Sequence, residues 1–208
     1  MESAFRDPEL KLIETFGWDG TCFPRLPRHL ERMKKSAQAL GFPFDPDLPC
    51  AALPRDPGSE PLRLRLTLSR QGEIDLTSAP LAQNPPEWRV AIAPSRVTSA
   101  DPRLAHKTTD RALYDQTRAR LPQGIDEMLF LNERGEVAEG TITNLFFDLG
   151  QGLSTPPLWS GCLPGCLRAE LIETGQVREA LLMASDLASA RLLVGNSLRG
   201  LLPARLIA

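Results

Sequence analysis

The chain has 208 residues, 42% of them hydrophobic and 24% charged, which are the proportions of a globular protein with one large domain or two small ones and exclude a disordered or fibrous chain. Its 24 basic and 26 acidic side chains leave a net charge of −2, so nothing draws it at long range to nucleic acid or an anionic membrane, and a small molecule is the expected partner. No run nears the roughly 18 consecutive apolar residues of a membrane span, and the opening Met1–Asp7 lacks a basic and then apolar signal region, so a cytoplasmic location is expected.

In chain order, Leu10–Phe16 predicts a strand, with a turn at Asp19-Gly20 leading to Phe23 in an early hairpin. Leu30, Met33, Ala37 and Leu40 recur at spacings of three and four. Residues 28–40 therefore predict an amphipathic helix ended by Gly41 and Pro43, with Arg28, Arg32 and Lys35 on one flank. Prolines at 43, 46, 49, 54, 57 and 61 predict a loop. Leu62–Leu68 alternates cleanly and predicts a strand paired with residues 73–77 across Gln71-Gly72, its apolar face covering the helix.

Residues 80–86 read as a connector, 88–93 as a strand and 94–102 as a polar bend. The domain boundary is expected there, giving a smaller α+β domain over 1–93, a linker over 94–102 and a larger domain over 103–208. Further on, a helix is expected over 110–121, capped by Thr108 or Thr109. A strand over 127–132 then leads through a hairpin turn at 133–136 to Val137 and a strand over 144–147. A helix over 166–174 follows Pro164-Gly165, and a buried strand over 192–194 stops at Gly195-Asn196-Ser197.

Four cysteines, Cys22, Cys50, Cys162 and Cys166, are too few for a disulfide framework. Cys162 and Cys166 have no companion pair, and His29 and His106 lie far off in sequence, so no metal site is expected. The lysines carry more information. Twenty of the basic residues are Arg and four are Lys, and after Lys35 the remaining 173 residues contain Lys107 alone. Lysine, unlike arginine, loses its proton readily enough to attack a carbonyl as an amine. Taken alone, Lys107 is either a solvated charge or a reactive amine, and its neighbours decide between them.

Five segments stand in one order: His29-Leu30-Glu31-Arg32-Met33, His106-Lys107-Thr108-Thr109, Asn132 to Phe146, Leu163-Pro164-Gly165-Cys166-Leu167-Arg168, and Asn196-Ser197-Leu198-Arg199-Gly200. In order and spacing they resemble the class-IV aminotransferases, pyridoxal-phosphate enzymes of fold type IV that include branched-chain and D-amino-acid aminotransferases and aminodeoxychorismate lyase. The resemblance implies an α+β, two-domain fold like that of D-amino-acid aminotransferase, pyridoxal 5'-phosphate as cofactor, a small amino substrate and a homodimer. It implies that Lys107 forms the Schiff base, which requires an amine neutral near pH 7. Glu139 becomes the carboxylate that keeps the pyridine nitrogen protonated. Asn144 is expected to support the turn beside it.

The same resemblance gives the cofactor phosphate to Arg32, to the helix start at Cys166 and Leu167, and to the turn of Ser197 and Leu198. Leu167 stands where the family often has Thr, so one hydroxyl is lost while the amide is kept. Glu133 and Glu136 fit solvated hairpin positions better than Glu139 does. The extra N-terminal hairpin that most relatives carry ahead of Leu10–Phe16 is absent from this sequence, which implies a shortened first domain and an incomplete wall for the substrate carboxylate. The residues after Lys107 and the turn at Arg199 resemble the lyase-type relatives more than branched-chain transaminases. Three activities remain open. One is 4-amino-4-deoxychorismate lyase of the folate pathway, with Thr15 donating a proton and Arg199 binding a substrate carboxylate; the others are an amino-acid aminotransferase and a cofactor-binding protein without turnover.

Overall fold

A computed structural model of the chain describes Phe5 and residues 7–207 and divides it into two compact units. The first comprises the residues up to Gln83 together with His106–Asp110. The second comprises Asn84–Ala105 and Arg111–Ala208.

The first unit is an antiparallel sheet of β1 (Leu12–Trp18), β2 (Leu62–Leu68) and β3 (Ile74–Pro80), covered on one face by α1 (Leu26–Leu40). Alternation on β2 sets its core face, and β1 pairs with it so that Leu12 is opposite Leu68, Glu14 opposite Leu66 and Phe16 opposite Leu64. Leu10, Leu12, Phe16, Leu64, Leu66 and Leu68 form a core with Met33 and Ala37 of α1. Pro27 opens α1, and Gly41, with φ of 71°, closes it by donating its N–H to the carbonyl of Ala37. The expected early hairpin is not formed. After Trp18 the Asp19 carboxylate takes the amides of Thr21 and Cys22, and the chain turns directly into α1. The proline-rich stretch also holds one short helix, α2 (Asp47–Ala51).

In the second unit, β4 (Trp88–Val97), β5 (Glu127–Asn132), β6 (Val137–Gly140), β7 (Asn144–Asp148), β8 (Ser154–Thr155), β9 (Arg178–Glu179), β10 (Arg191–Asn196) and β11 (Gly200–Leu206) make one sheet. Because β10 pairs with both β11 and β7, the strands β10-β11-β4-β5-β6-β7 close into a barrel. Two helices cover it, α3 (Ala112–Ala119) and α4 (Cys166–Glu173). Leu129 and Leu131 of β5 enter one core cluster with Val90, Leu145 and Val194, while Met128 and Phe130 enter another with Leu113 and Tyr114. Both faces of β5 are buried, and this is why its sequence is almost continuously apolar.

The division of the chain differs from the expected one at two places. The strand beginning at Trp88 pairs with β5 and β11, so the second unit starts at Asn84 and there is no separate linker over 94–102. The segment His106–Asp110 then returns to the first unit along the edge of β1, with Thr108 opposite Leu12. β11, β8 and β9 were not anticipated.

Candidate active site

In the first unit the main chain at Lys107 is fixed by two hydrogen bonds. Ile13 N–H donates to the Lys107 carbonyl (2.8 Å), and Thr109 N–H donates to that of Lys11 (2.9 Å). The hydroxyl of Thr109 in turn accepts the Lys11 N–H at 3.0 Å. Thr108 is buried on the core side with Leu12. Strand alternation therefore carries Lys107 to the other face, the one shared by Ile13, Thr15 and, opposite Thr15 in register, Arg65. Lys107 and Thr15, proposed from sequence for different steps, thus share one sheet face.

The core face carries a charge that the sequence reading passed over. Glu14 is 1% exposed and accepts hydrogen bonds from His29 Nδ1 (2.5 Å), Arg32 Nε (2.8 Å) and Arg32 Nη2 (2.6 Å). Burial alone would raise its carboxyl pKa. The positive charge of Arg32 and the bonds from His29 and Arg32 outweigh that and hold it at about 2. One edge of the Arg32 guanidinium is thereby committed to Glu14, and its planar geometry turns the Nη1 edge away from that carboxylate. The signal for Glu14 was present in the sequence: a carboxylate on the apolar stripe of Leu12 and Phe16 requires a buried partner. His106 bonds through Nδ1 to the buried Ser36 hydroxyl (3.0 Å), and burial lowers its pKa below the ordinary imidazole value.

In the second unit, Glu139 lies on β6 opposite Phe130, where the β5–β6 register shifts. Its Oε1 accepts the hydroxyl of Tyr114 (2.9 Å) and its Oε2 the amide of Leu163 (3.0 Å). Tyr114, the sole tyrosine, has its pKa raised by burial and by the Glu139 charge, so it remains a donor to that carboxylate. Asn144 Nδ2 donates to the Leu163 carbonyl (3.0 Å), supporting the same turn from the start of β7. A Cβ on Gly165 would collide with the Asn144 amide oxygen, so the chain entering α4 passes against Asn144 as only glycine allows.

Beyond Gly165, Cys166 and Leu167 form the first turn of α4, and no side chain caps its N-terminus. A Cβ at Gly195 would stand 3.1 Å from a Leu167 methyl and 2.8 Å from the Gly200 carbonyl. The end of β10 therefore approaches the first turn of α4 closely. Just past it, Asn196 Oδ1 accepts the amides of Leu198 (3.1 Å) and Arg199 (2.9 Å), shaping the turn that presents Ser197. Arg199 donates to Asn84 Oδ1 (2.6 Å), and its guanidinium carbon lies 5.5 Å from the Trp88 ring centroid. Glu136 is not the solvated hairpin residue expected: it is buried and bonded by Asn132, Arg134 and Ser160.

Within each unit the donor chemistry fits the halves of a phosphorylated pyridine aldehyde. The first unit offers an amine and a guanidinium. The second offers a buried carboxylate, a helix N-terminus and a serine turn held close to that helix by glycine. Residues 11–207 match the sequence profile of a family described as amino-transferase class IV. The chain belongs to this family, whose members are pyridoxal-phosphate enzymes of fold type IV.

Among individual proteins, it is 30% identical over 203 residues to a Schizosaccharomyces pombe protein named "Putative aminodeoxychorismate lyase", covering 92% of this chain and 87% of that one. The crystal structure of a Mesorhizobium loti protein named "Putative amino-acid aminotransferase" superposes with a TM-score of 0.88 at 44% identity, over 96% of this chain and all of that one. A Legionella pneumophila structure named for 4-amino-4-deoxychorismate lyase shares the fold, with a TM-score of 0.81 at 23% identity over 94% and 82% of the two chains. Among the described residues no helix is long and apolar enough to cross a membrane.

Proposed function

We propose that the chain is a 4-amino-4-deoxychorismate lyase, releasing pyruvate and p-aminobenzoate. The observation that carries this reading is the placement of Lys107 and Thr15 on one face of the first unit's sheet, with the lysine backbone bonded to the strand that bears the threonine. The S. pombe relative supports the same choice.

In this reading Lys107 would hold the aldehyde carbon of pyridoxal phosphate, Glu139 would serve the pyridine nitrogen, and Arg32, the amides of Cys166 and Leu167, and the turn of Ser197 and Leu198 would take the phosphate. The bound cofactor supplies an electron sink for the substrate's amino-bearing carbon. With the substrate amine bound in its place, the Lys107 amine would remove the ring proton. The carbon–oxygen bond to the enolpyruvyl group then breaks, and its electrons leave with pyruvate as the ring becomes aromatic. Thr15 would deliver the proton that the departing enol carbon needs and would recover one from the protonated Lys107 amine, so that neither side chain is left changed. Arg199, oriented by Asn84 and Trp88, pairs with one of the substrate's two carboxylates.

The M. loti relative favours a second reading, an amino-acid aminotransferase, in which the same lysine would return the proton on the cofactor side instead. One experiment separates the two. Purified holoenzyme is incubated with aminodeoxychorismate, and separately with a branched-chain or D-amino acid plus 2-oxoglutarate, while p-aminobenzoate, pyruvate and glutamate are followed. Glutamate without pyruvate establishes the aminotransferase. Borohydride reduction and peptide mapping of the same preparation place the label on Lys107; a label on Lys11, Lys34 or Lys35 removes the foundation of both readings.

A further inference from the structure

The second unit contains a fully buried carboxylate to which the proposed chemistry gives no part. Glu127 opens β5 and is 0% exposed. Its Oε1 accepts the amides of Met128 (3.0 Å) and Thr141 (2.9 Å) and the hydroxyl of Thr141, and its Oε2 accepts the amide of Ile142 (3.2 Å) and the hydroxyl of Thr143 (3.0 Å). Four of these five donors belong to Thr141–Thr143, the turn between β6 and β7. Such a turn would otherwise be satisfied by water, and burying a carboxylate is tolerated only because so many donors converge on it. Gly140 lies against the same group: a Cβ there would meet the Glu127 carboxyl at 2.9 Å, so the approach excludes any side chain.

The turn so held is the hub of the second unit's cofactor-facing segments. Two residues before it, across Gly140, is Glu139. Immediately after it is Asn144, whose side chain carries the Leu163 turn that donates to Glu139. At its apex the carbonyl of Ile142 accepts Asn196 Nδ2 (3.1 Å), and Asn196 shapes the Ser197 turn through its Oδ1. Arg111, at the N-cap of α3, and Arg118 within it reach the same place, Arg111 to the Thr141 carbonyl (2.8 Å) and Arg118 to the Thr141 hydroxyl (3.2 Å).

We propose that Glu127 is a positioning residue for the cofactor: by organising Thr141–Thr143 it sets the Glu139 carboxylate on one side and, through Ile142 and Asn196, the Ser197 turn on the other. The proposal rests on the assignment of Glu139 and Ser197 to the cofactor. Glu127→Gln is the direct test, because the amide nitrogen must then face a backbone N–H whichever way it is placed: those of Met128 and Thr141, or that of Ile142.

The measurement is the affinity of the stripped and reloaded enzyme for pyridoxal phosphate and for pyridoxal, which lacks the phosphate. Glu127→Gln weakens pyridoxal phosphate at least tenfold and pyridoxal as well, since Glu139 serves both. Asn196→Ala weakens pyridoxal phosphate alone. Thr143→Val, which removes one hydroxyl donor and keeps the side-chain shape, follows Glu127→Gln in smaller measure and serves if the Gln variant does not fold. Leu187→Ala, a core truncation that makes none of these bonds, supplies the comparison at a matched fall in Tm. Affinity in Glu127→Gln or Thr143→Val that falls no further than in Leu187→Ala overturns the proposal. If Glu139→Gln and Ser197→Ala themselves leave both affinities unchanged, the underlying site assignment fails instead.

Discussion

Replacing Glu14 by Gln tests the buried charge cluster of the first unit, and its size follows from the geometry. The carboxylate is 1% exposed and its pKa is lowered from 4.5 to about 2 because Arg32 and His29 close around it. At roughly 1.4 kcal/mol per pH unit, that gap corresponds to about 3 kcal/mol of stability. The unfolded chain takes up this proton at a higher pH than the folded one. The contribution is therefore complete above pH 4.5 and is lost as the pH falls towards 2. Gln cannot titrate, so the variant is less stable at neutral pH, where Arg32 loses its buried counter-charge. The difference between the two proteins then shrinks on acidification, by about 2 kcal/mol at pH 3. Urea unfolding of the cofactor-stripped proteins at stepped pH from 7 to 3, followed by circular dichroism, measures it. A stability difference constant across that range would refute the coupling of Glu14 to its two partners.

Arg32→Ala should weaken pyridoxal phosphate by about 1.5–3 kcal/mol and leave pyridoxal unchanged, as the loss of one charge-assisted bond to a phosphate requires; equal effects on both in a binding titration would return Arg32 to a purely structural pairing with Glu14. Gly140→Ala should cost about 1–3 kcal/mol in urea unfolding, because the added methyl meets the Thr143 hydroxyl and the Glu127 carboxyl, both locked by hydrogen bonds. Among the cysteines, Cys22 and Cys50 are exposed, whereas Cys162 and Cys166 are buried and burial, with the Glu139 charge, pushes the Cys162 thiol up to about 12. Iodoacetamide at pH 8 should accordingly label two cysteines in the native protein and all four after denaturation, as counted by intact mass.

Periodicity made much of each unit legible. β2 was readable to the residue because Leu62–Leu68 has one wet and one dry face, and α1 because its stripe at three and four spacing meets that dry face. The barrel was harder. β11 carries Pro203 and Arg205, and what makes it a strand is pairing with β10 and β4, which no local pattern announces. The same holds for the candidate site. Lys107 stood out by the scarcity of lysine, and Glu139 by its place in a long signature. Tyr114 and Glu127 matter through contacts 25 and 14 to 16 residues away in sequence, and nothing around them distinguishes a buried acceptor from a surface charge. The unit boundary was misplaced for a related reason: the polar bend after Ala93 is a genuine irregularity within β4, with a shifted register between Ile92 and Arg96, and the strand continues beyond it.

The excursion of His106–Asp110 out of the second unit's stretch of sequence and onto the edge of β1 constrains how this protein can be divided. No single cut yields two self-sufficient halves. A fragment ending at Gln83 would lose its lysine segment and expose the outer backbone of β1, a row of unsatisfied donors and acceptors that invites edge-to-edge aggregation. A fragment starting at Asn84 would carry the lysine on a segment deprived of the strand that fixes it. Exchange of one unit alone at residue 83 should therefore fail, because the incoming unit would not bring the lysine segment that its partner strand holds.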